Sequence, residues 1–160
     1  MSEKQKTLKE AVTISGAGLH TGKEVNLTFR PAPENHGFKF RRTDLPGQPV
    51  IDADADLVTD TSRGTTIEHN GVRVSTIEHA LAALTGMDLD NILIDLDCPE
   101  TPILDGSSRF YVEAIKKTGI VEQNAERHYF KINEVLRYSD PEKKTELLIL
   151  PNDTYKVSVM

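Results

Sequence analysis

Between Ser75 and Leu84 only two side chains, Glu78 and His79, can ionise; the rest are Ser, Thr, Ala, Ile and Leu. A helix this poor in polar groups has to be packed on most of its sides. At about 100° per residue, Ile77, Ala80, Leu81 and Leu84 form one apolar stripe. His79 lies roughly 150° from the centre of that stripe by the same geometry. Thr76, Ala82 and Ala83 share its face. A surface helix would carry Lys, Glu or Gln there. Small residues around a lone imidazole predict close packing and a protected site.

Composition narrows the classes that can supply that packing. The chain has 160 residues, room for one good-sized domain or for one domain and the start of another. No apolar run approaches the roughly 18–20 residues that span a bilayer, so an integral membrane protein is not expected. The polar start, Met-Ser-Glu-Lys-Gln-Lys, lacks the apolar core of a signal peptide. One cysteine, Cys98, excludes an internal disulfide and fits a reducing compartment, so a cytoplasmic protein is expected. The net charge is −6, and no basic cluster exceeds Arg41-Arg42 or Lys143-Lys144. Nucleic acid is not an expected partner.

The first part of the chain reads as short strands joined by tight turns. Ala11–Ser15 and Glu24–Phe29 alternate as strands do, and flank a glycine-rich loop from Gly16 to Gly22. Phe38–Arg41 is a further strand. Gly64–His69 and Val72–Ser75 are joined by Asn70-Gly71, a strong hairpin signal. The helix bearing Glu78-His79 follows, with Gly86 as its expected stop. Asn91–Leu96 reads as a buried strand, and a second helix is predicted from Ser107 to Thr118, closed by Gly119. Beyond it, Phe130–Ile132, Val135-Leu136, Leu147–Leu150 and Tyr155–Met160 look like strands of another sheet. Turns are expected at Ser139-Asp140-Pro141 and Pro151-Asn152-Asp153, and a domain boundary at 122–127. The chain ends inside an apolar, strand-like stretch, which predicts a piece of a longer protein.

Several residues invite a chemical reading, each beside a plainer one. Ser75-x-x-Glu78 is a capping box, and the same Glu78 can act as a base near the positive end of the helix dipole. His79 is either a packed histidine or a metal ligand, although His-Glu-x-x-His is absent. The loop around His20 can offer backbone amides to an anion, but it matches neither a dinucleotide fingerprint nor a P-loop, and a wide hairpin turn explains its glycines. Asp52 to Asp56 fails as a calcium loop, because Leu57 and Arg63 stand where Gly and Glu are needed. Asp105–Ser108 marks a turn and helix cap. His36 and His128 show no partner spacing, His69 before the Asn-Gly turn reads as an exposed strand-end residue, and Cys98 has no nearby base.

Three motifs in order resemble the front half of the bacterial UDP-3-O-acyl-N-acetylglucosamine deacetylases, the LpxC family. They are Gly16-Ala17-Gly18-Leu19-His20-Thr21-Gly22, the stretch Ser75–Leu84, and Asp90-Asn91 with Pro99-Glu100-Thr101-Pro102-Ile103-Leu104-Asp105-Gly106-Ser107. The resemblance runs from about Thr7 to the C-terminus. It implies an α+β fold, a two-layer sandwich of mixed or antiparallel sheet with helices, in two similar domains that face each other across the active site. Residues 1–122 would be the first domain, and 128–160 the first strands of a second, incomplete one. It also implies a zinc-dependent hydrolase that removes the N-acetyl group from UDP-3-O-(3-hydroxyacyl)-N-acetylglucosamine in lipid A synthesis. By resemblance His79 is a zinc ligand, Glu78 the general base, His20 a neighbour of the substrate's polar part, and Ser62-Arg63-Gly64 part of the site's mouth. The family's other zinc ligands, a His and an Asp, and its second catalytic His lie beyond position 160. Some members are fused at the C-terminus to a 3-hydroxyacyl-carrier-protein dehydratase. Two other readings stay open on the residues alone. One is a metal-free module that binds a nucleotide sugar through the His20 loop; the other is an α+β interaction module with Glu78 as a cap.

Overall fold

The structure, a computed structural model, describes residues 3–159. The chain forms two compact units, one ending at Arg127 and one beginning at His128. In the first unit the strands are β1 (Lys4–Leu8), β2 (Val12–Ala17), β3 (Glu24–Pro31), β4 (Phe38–Arg42), β5 (Val50–Asp52), β6 (Val58–Asp60), β7 (Thr66–His69), β8 (Val72–Val74), β9 (Ile92–Leu96) and β10 (Ile120–Glu126). Two helices accompany them, α1 (Glu78–Gly86) and α2 (Arg109–Thr118).

The main sheet has five strands in the order β2-β3-β9-β4-β5. It is mixed: β4 runs parallel to β9, and the other pairs are antiparallel. Its alternation sends Leu27, Phe29, Phe40, Ile92, Ile94 and Leu96 into one apolar cluster with Ala80, Ala83 and Leu84 of α1 and Tyr111 and Ile115 of α2. The Phe29 and Tyr111 rings meet at 5.9 Å with a 52° tilt. Burial pushes the Tyr111 phenol well above its ordinary pKa, and its hydroxyl donates to the Pro102 carbonyl. The alternate residues are polar: Asp95 receives both Arg30 and Arg41, and Thr13 meets Thr28. The α+β fold is therefore that of a mixed sheet packed on helices.

Two smaller sheets complete the first unit. Strands β6, β7 and β8 form an antiparallel sheet, and β7 and β8 are joined by Asn70 (φ 50°) and Gly71 (φ 76°), the backbone a two-residue hairpin turn requires. Strand β1 pairs antiparallel with β10. The stretch expected as a boundary, 122–127, is thus largely strand, and the first unit runs to Arg127 instead of stopping at 122. Its residues Glu122-Gln123-Asn124 look like linker because they are polar. They are fixed by hydrogen bonds: Asn91 donates to Gln5 at 2.8 Å and to Gln123 at 2.7 Å, and Gln123 donates to the Ala32 carbonyl at 2.9 Å.

In the second unit β11 (Leu136–Asp140) and β12 (Thr145–Ile149) form an antiparallel hairpin. Strand β11 runs through Ser139 and Asp140, where a turn was expected, and the chain reverses at Pro141–Lys144. Residues 130–132 and 155–159 are not strand; Met160 lies outside the described residues. Among the described residues no helix is long and apolar enough to cross a membrane.

Candidate active site

Helix α1 starts at Glu78, later than the capping box requires. Ser75 is instead held in a parallel bridge to Glu100, with its N–H on the Pro99 carbonyl at 2.9 Å. Thr76 is buried in a left-handed backbone, φ 59°, rarely adopted by a β-branched residue. The Thr101 hydroxyl donates to its carbonyl at 2.5 Å and secures that geometry. Glu78 therefore does not reach back to its own helix terminus. Its Oε2 accepts the Thr65 N–H at 2.9 Å, so the carboxylate is anchored by the segment entering β7. This corrects the capping-box reading. The apolar face also differs, because Ala83 is buried and Leu81 only half-buried.

His79 Nε2 stands 3.9 Å from Glu78 Oε1, with side chains 27% and 39% exposed. The imidazole is neither in bulk solvent nor sealed among aliphatic groups. Its backbone carbonyl accepts the Ser108 hydroxyl at 2.9 Å, which ties the start of α2 to the first turn of α1.

The other expected site residues come together around a cleft whose lining includes neither Glu78 nor His79. His20 Nε2 lies 3.0 Å from the Arg63 carbonyl oxygen. A carbonyl only accepts, so in the neutral ring the proton sits on Nε2. Gly64 follows with φ 142°, and a Cβ there would stand 3.2 Å from Glu78 Oε1. The Ser62 N–H donates to Asp60 at 2.9 Å and helps hold that carboxyl below its ordinary pKa. A cleft of about 460 Å³ is lined by His20, Ser62, Arg63, Gly64 and Thr76, with Glu100 at its floor. Glu78 is not in the cleft wall but against Gly64, which is.

Glu100, Asp60 and Arg73 belong to this site too, and sequence reasoning gave them no role. Glu100 changes the reading of the glycine-rich loop. Its carboxylate accepts the His20 and Thr21 N–H groups, each at 2.9 Å. The Gly18 N–H bonds to the Lys23 carbonyl and the Gly22 N–H to the Gly18 carbonyl. Four of the loop's amides, those of Gly18, His20, Thr21 and Gly22, are thus committed inside the protein. The nearest signal in the sequence is Gly18 itself, where a Cβ would stand 2.5 Å from Glu100 Oε2.

Among the described residues no group of three His, Cys, Asp or Glu side chains is placed to hold a metal ion. A catalytic zinc takes three protein ligands and keeps one position open. His79, a half-exposed imidazole beside a carboxylate, fits one ligand position of such a site.

Comparisons of the sequence with known proteins identify a family. A family model described as LpxC, UDP-3-O-acyl N-acetylglycosamine deacetylase, covers residues 5–160. The chain belongs to the LpxC family. It is 52% identical over 157 residues to the bifunctional enzyme LpxC/FabZ of Porphyromonas gingivalis, covering 98% of this chain and 34% of that protein. It is 47% identical over 157 residues to the protein of the same name in Bacteroides thetaiotaomicron, with the same coverage. The UDP-3-O-acyl-N-acetylglucosamine deacetylase of Idiomarina loihiensis is 47% identical over 157 residues, 96% of this chain and 50% of that protein. The chain thus spans between a third and a half of the length of these LpxC relatives.

Proposed function

We propose that the protein bearing this chain is a zinc-dependent hydrolase. It removes the N-acetyl group from UDP-3-O-(3-hydroxyacyl)-N-acetylglucosamine, a step of lipid A synthesis. The observation that carries this reading is the Glu78–His79 pair presented together at the start of α1, in a chain matched to LpxC over residues 5–160. A zinc ion, when bound, polarises an amide carbonyl and acidifies water. His79 offers it one imidazole; the remaining ligands belong to residues outside this chain. Glu78 Oε1, with Oε2 occupied by the Thr65 N–H, takes the proton of the attacking water. Water adds to the acetyl carbonyl, the C–N bond breaks, and the departing amine takes a proton from an acid outside this chain. His20 and the Ser62-Arg63-Gly64 segment bound the cleft that receives the polar part of the substrate. The relatives named LpxC/FabZ support a second enzyme fused behind this one, the dehydratase raised by the resemblance.

The test uses the full-length protein. Glu78→Gln should lower kcat by about 10²–10⁴ with zinc retained, the usual worth of a general base. His79→Ala should lose the metal in elemental analysis. Near-normal turnover by Glu78→Gln removes Glu78 as the base.

A further inference from the structure

Glu100 has no exposed surface. A carboxylate out of water stays charged only where hydrogen bonds replace its hydration. Burial pushes the Glu100 carboxyl up, but the His20 and Thr21 N–H groups and the Thr21 and Thr76 hydroxyls bring it below its ordinary pKa. The His20 N–H reaches Oε1 at 2.9 Å and Oε2 at 3.2 Å, the Thr21 N–H reaches Oε2 at 2.9 Å, and the Thr76 hydroxyl reaches Oε1 at 3.1 Å. One buried group therefore joins the tip of the β2–β3 loop to the turn that launches α1.

These contacts close a ring. From Glu100 one arm runs through the His20 backbone to its imidazole, and on to the Arg63 carbonyl. The chain continues through Gly64 to the Thr65 N–H, which holds Glu78. The other arm runs through Thr76, two residues before Glu78. We infer that Glu100 is a positioning residue that sets His20 and Glu78 against each other by holding both arms on one carboxylate. The inference rests on the proposed roles of His20 and Glu78. Glu100 lies at the cleft with no exposed surface of its own, so its effect is exerted through the groups it holds.

The experiment is a double-mutant cycle in the full-length, metal-loaded protein. Glu100→Gln keeps the size and turns an amide NH₂ toward groups that themselves donate. It should lower kcat/KM roughly tenfold to a hundredfold, the scale of a small misplacement at a reacting centre, with zinc content unchanged. In the His20→Ala background the same change should cost less than about twofold, because coupled residues are not additive. Amide hydrogen exchange should quicken at His20 and Thr21 and, across the ring, at Thr65, while Leu27 and Ile94 in the core strands stay unchanged. Equal cost in both backgrounds, full activity of His20→Ala, or faster exchange spread through the main sheet overturns the inference. Should Glu100→Gln not fold, Gly18→Ala displaces the same carboxylate and is read the same way. A wild-type protein without turnover sinks the proposed function instead, and exchange at Thr65 then decides the inference alone.

Discussion

Gly64 is where a backbone angle and a neighbouring carboxylate constrain one residue. Its φ of 142° belongs to glycine, and a Cβ would press on Glu78 Oε1 from 3.2 Å. Gly64→Ala should therefore cost about 1–3 kcal/mol of stability through backbone strain. In the full-length protein it should also depress turnover at temperatures where the variant remains folded. Denaturant unfolding beside a turnover assay checks both, and a strained variant with wild-type kcat would show that Glu78 tolerates the push. Thr76 shows why such geometry hides in a sequence. Ser75-x-x-Glu78 satisfies a local rule, yet the bridge from Ser75 to Glu100 and the left-handed Thr76 override it. The Glu78–His79 pair itself was legible, because two ionisable groups in an otherwise apolar helix stand out in one line of text. Glu100 was not, because its meaning depends on Gly18, His20 and Thr76, all distant in the chain.

Elements defined by a local code were read well. Asn70-Gly71 dictates its hairpin, and Ile92-Leu93-Ile94 its strand, from short-range chemistry alone. Strands β1 and β10 were missed, since Lys, Gln, Asn and Glu are poor strand formers and the pairing is held by a buried amide network. The main sheet carries a comparable polar device at Asp95, whose side chain is only 8% exposed between Arg30 and Arg41. Burial pushes that carboxyl up, and the two guanidinium groups overcome it, leaving it below its ordinary pKa. A carboxyl lowered in the folded state stabilises above its unfolded value, about pH 3.9, and loses that contribution as pH falls through the folded value. Asp95→Asn should cost about 2 kcal/mol at pH 7, a figure already reduced for the exposure of Arg30. It should also flatten the loss of stability below about pH 4. Urea unfolding at neutral and acid pH tests this, and parallel pH profiles for parent and variant would exclude Asp95 as a source of the acid limb.

On the scale of the whole chain, the described residues bring a carboxylate and an imidazole together but supply no three-ligand metal group. A polypeptide of residues 1–160 is accordingly expected to show no deacetylase turnover and at best weak zinc affinity. Metal analysis after dialysis against a mild chelator checks it, and one tightly held zinc per chain would count against it. The first unit has a further property of its own. Lys4 faces Glu126 across the β1–β10 ladder, and the Arg127 N–H reaches the Glu3 carbonyl at 2.8 Å. Its entry and exit leave side by side. A protein engineer can treat it as a cassette: its two ends should tolerate joining by a short splice, or grafting into a host loop, because no residue of β1 or β10 lines the cleft.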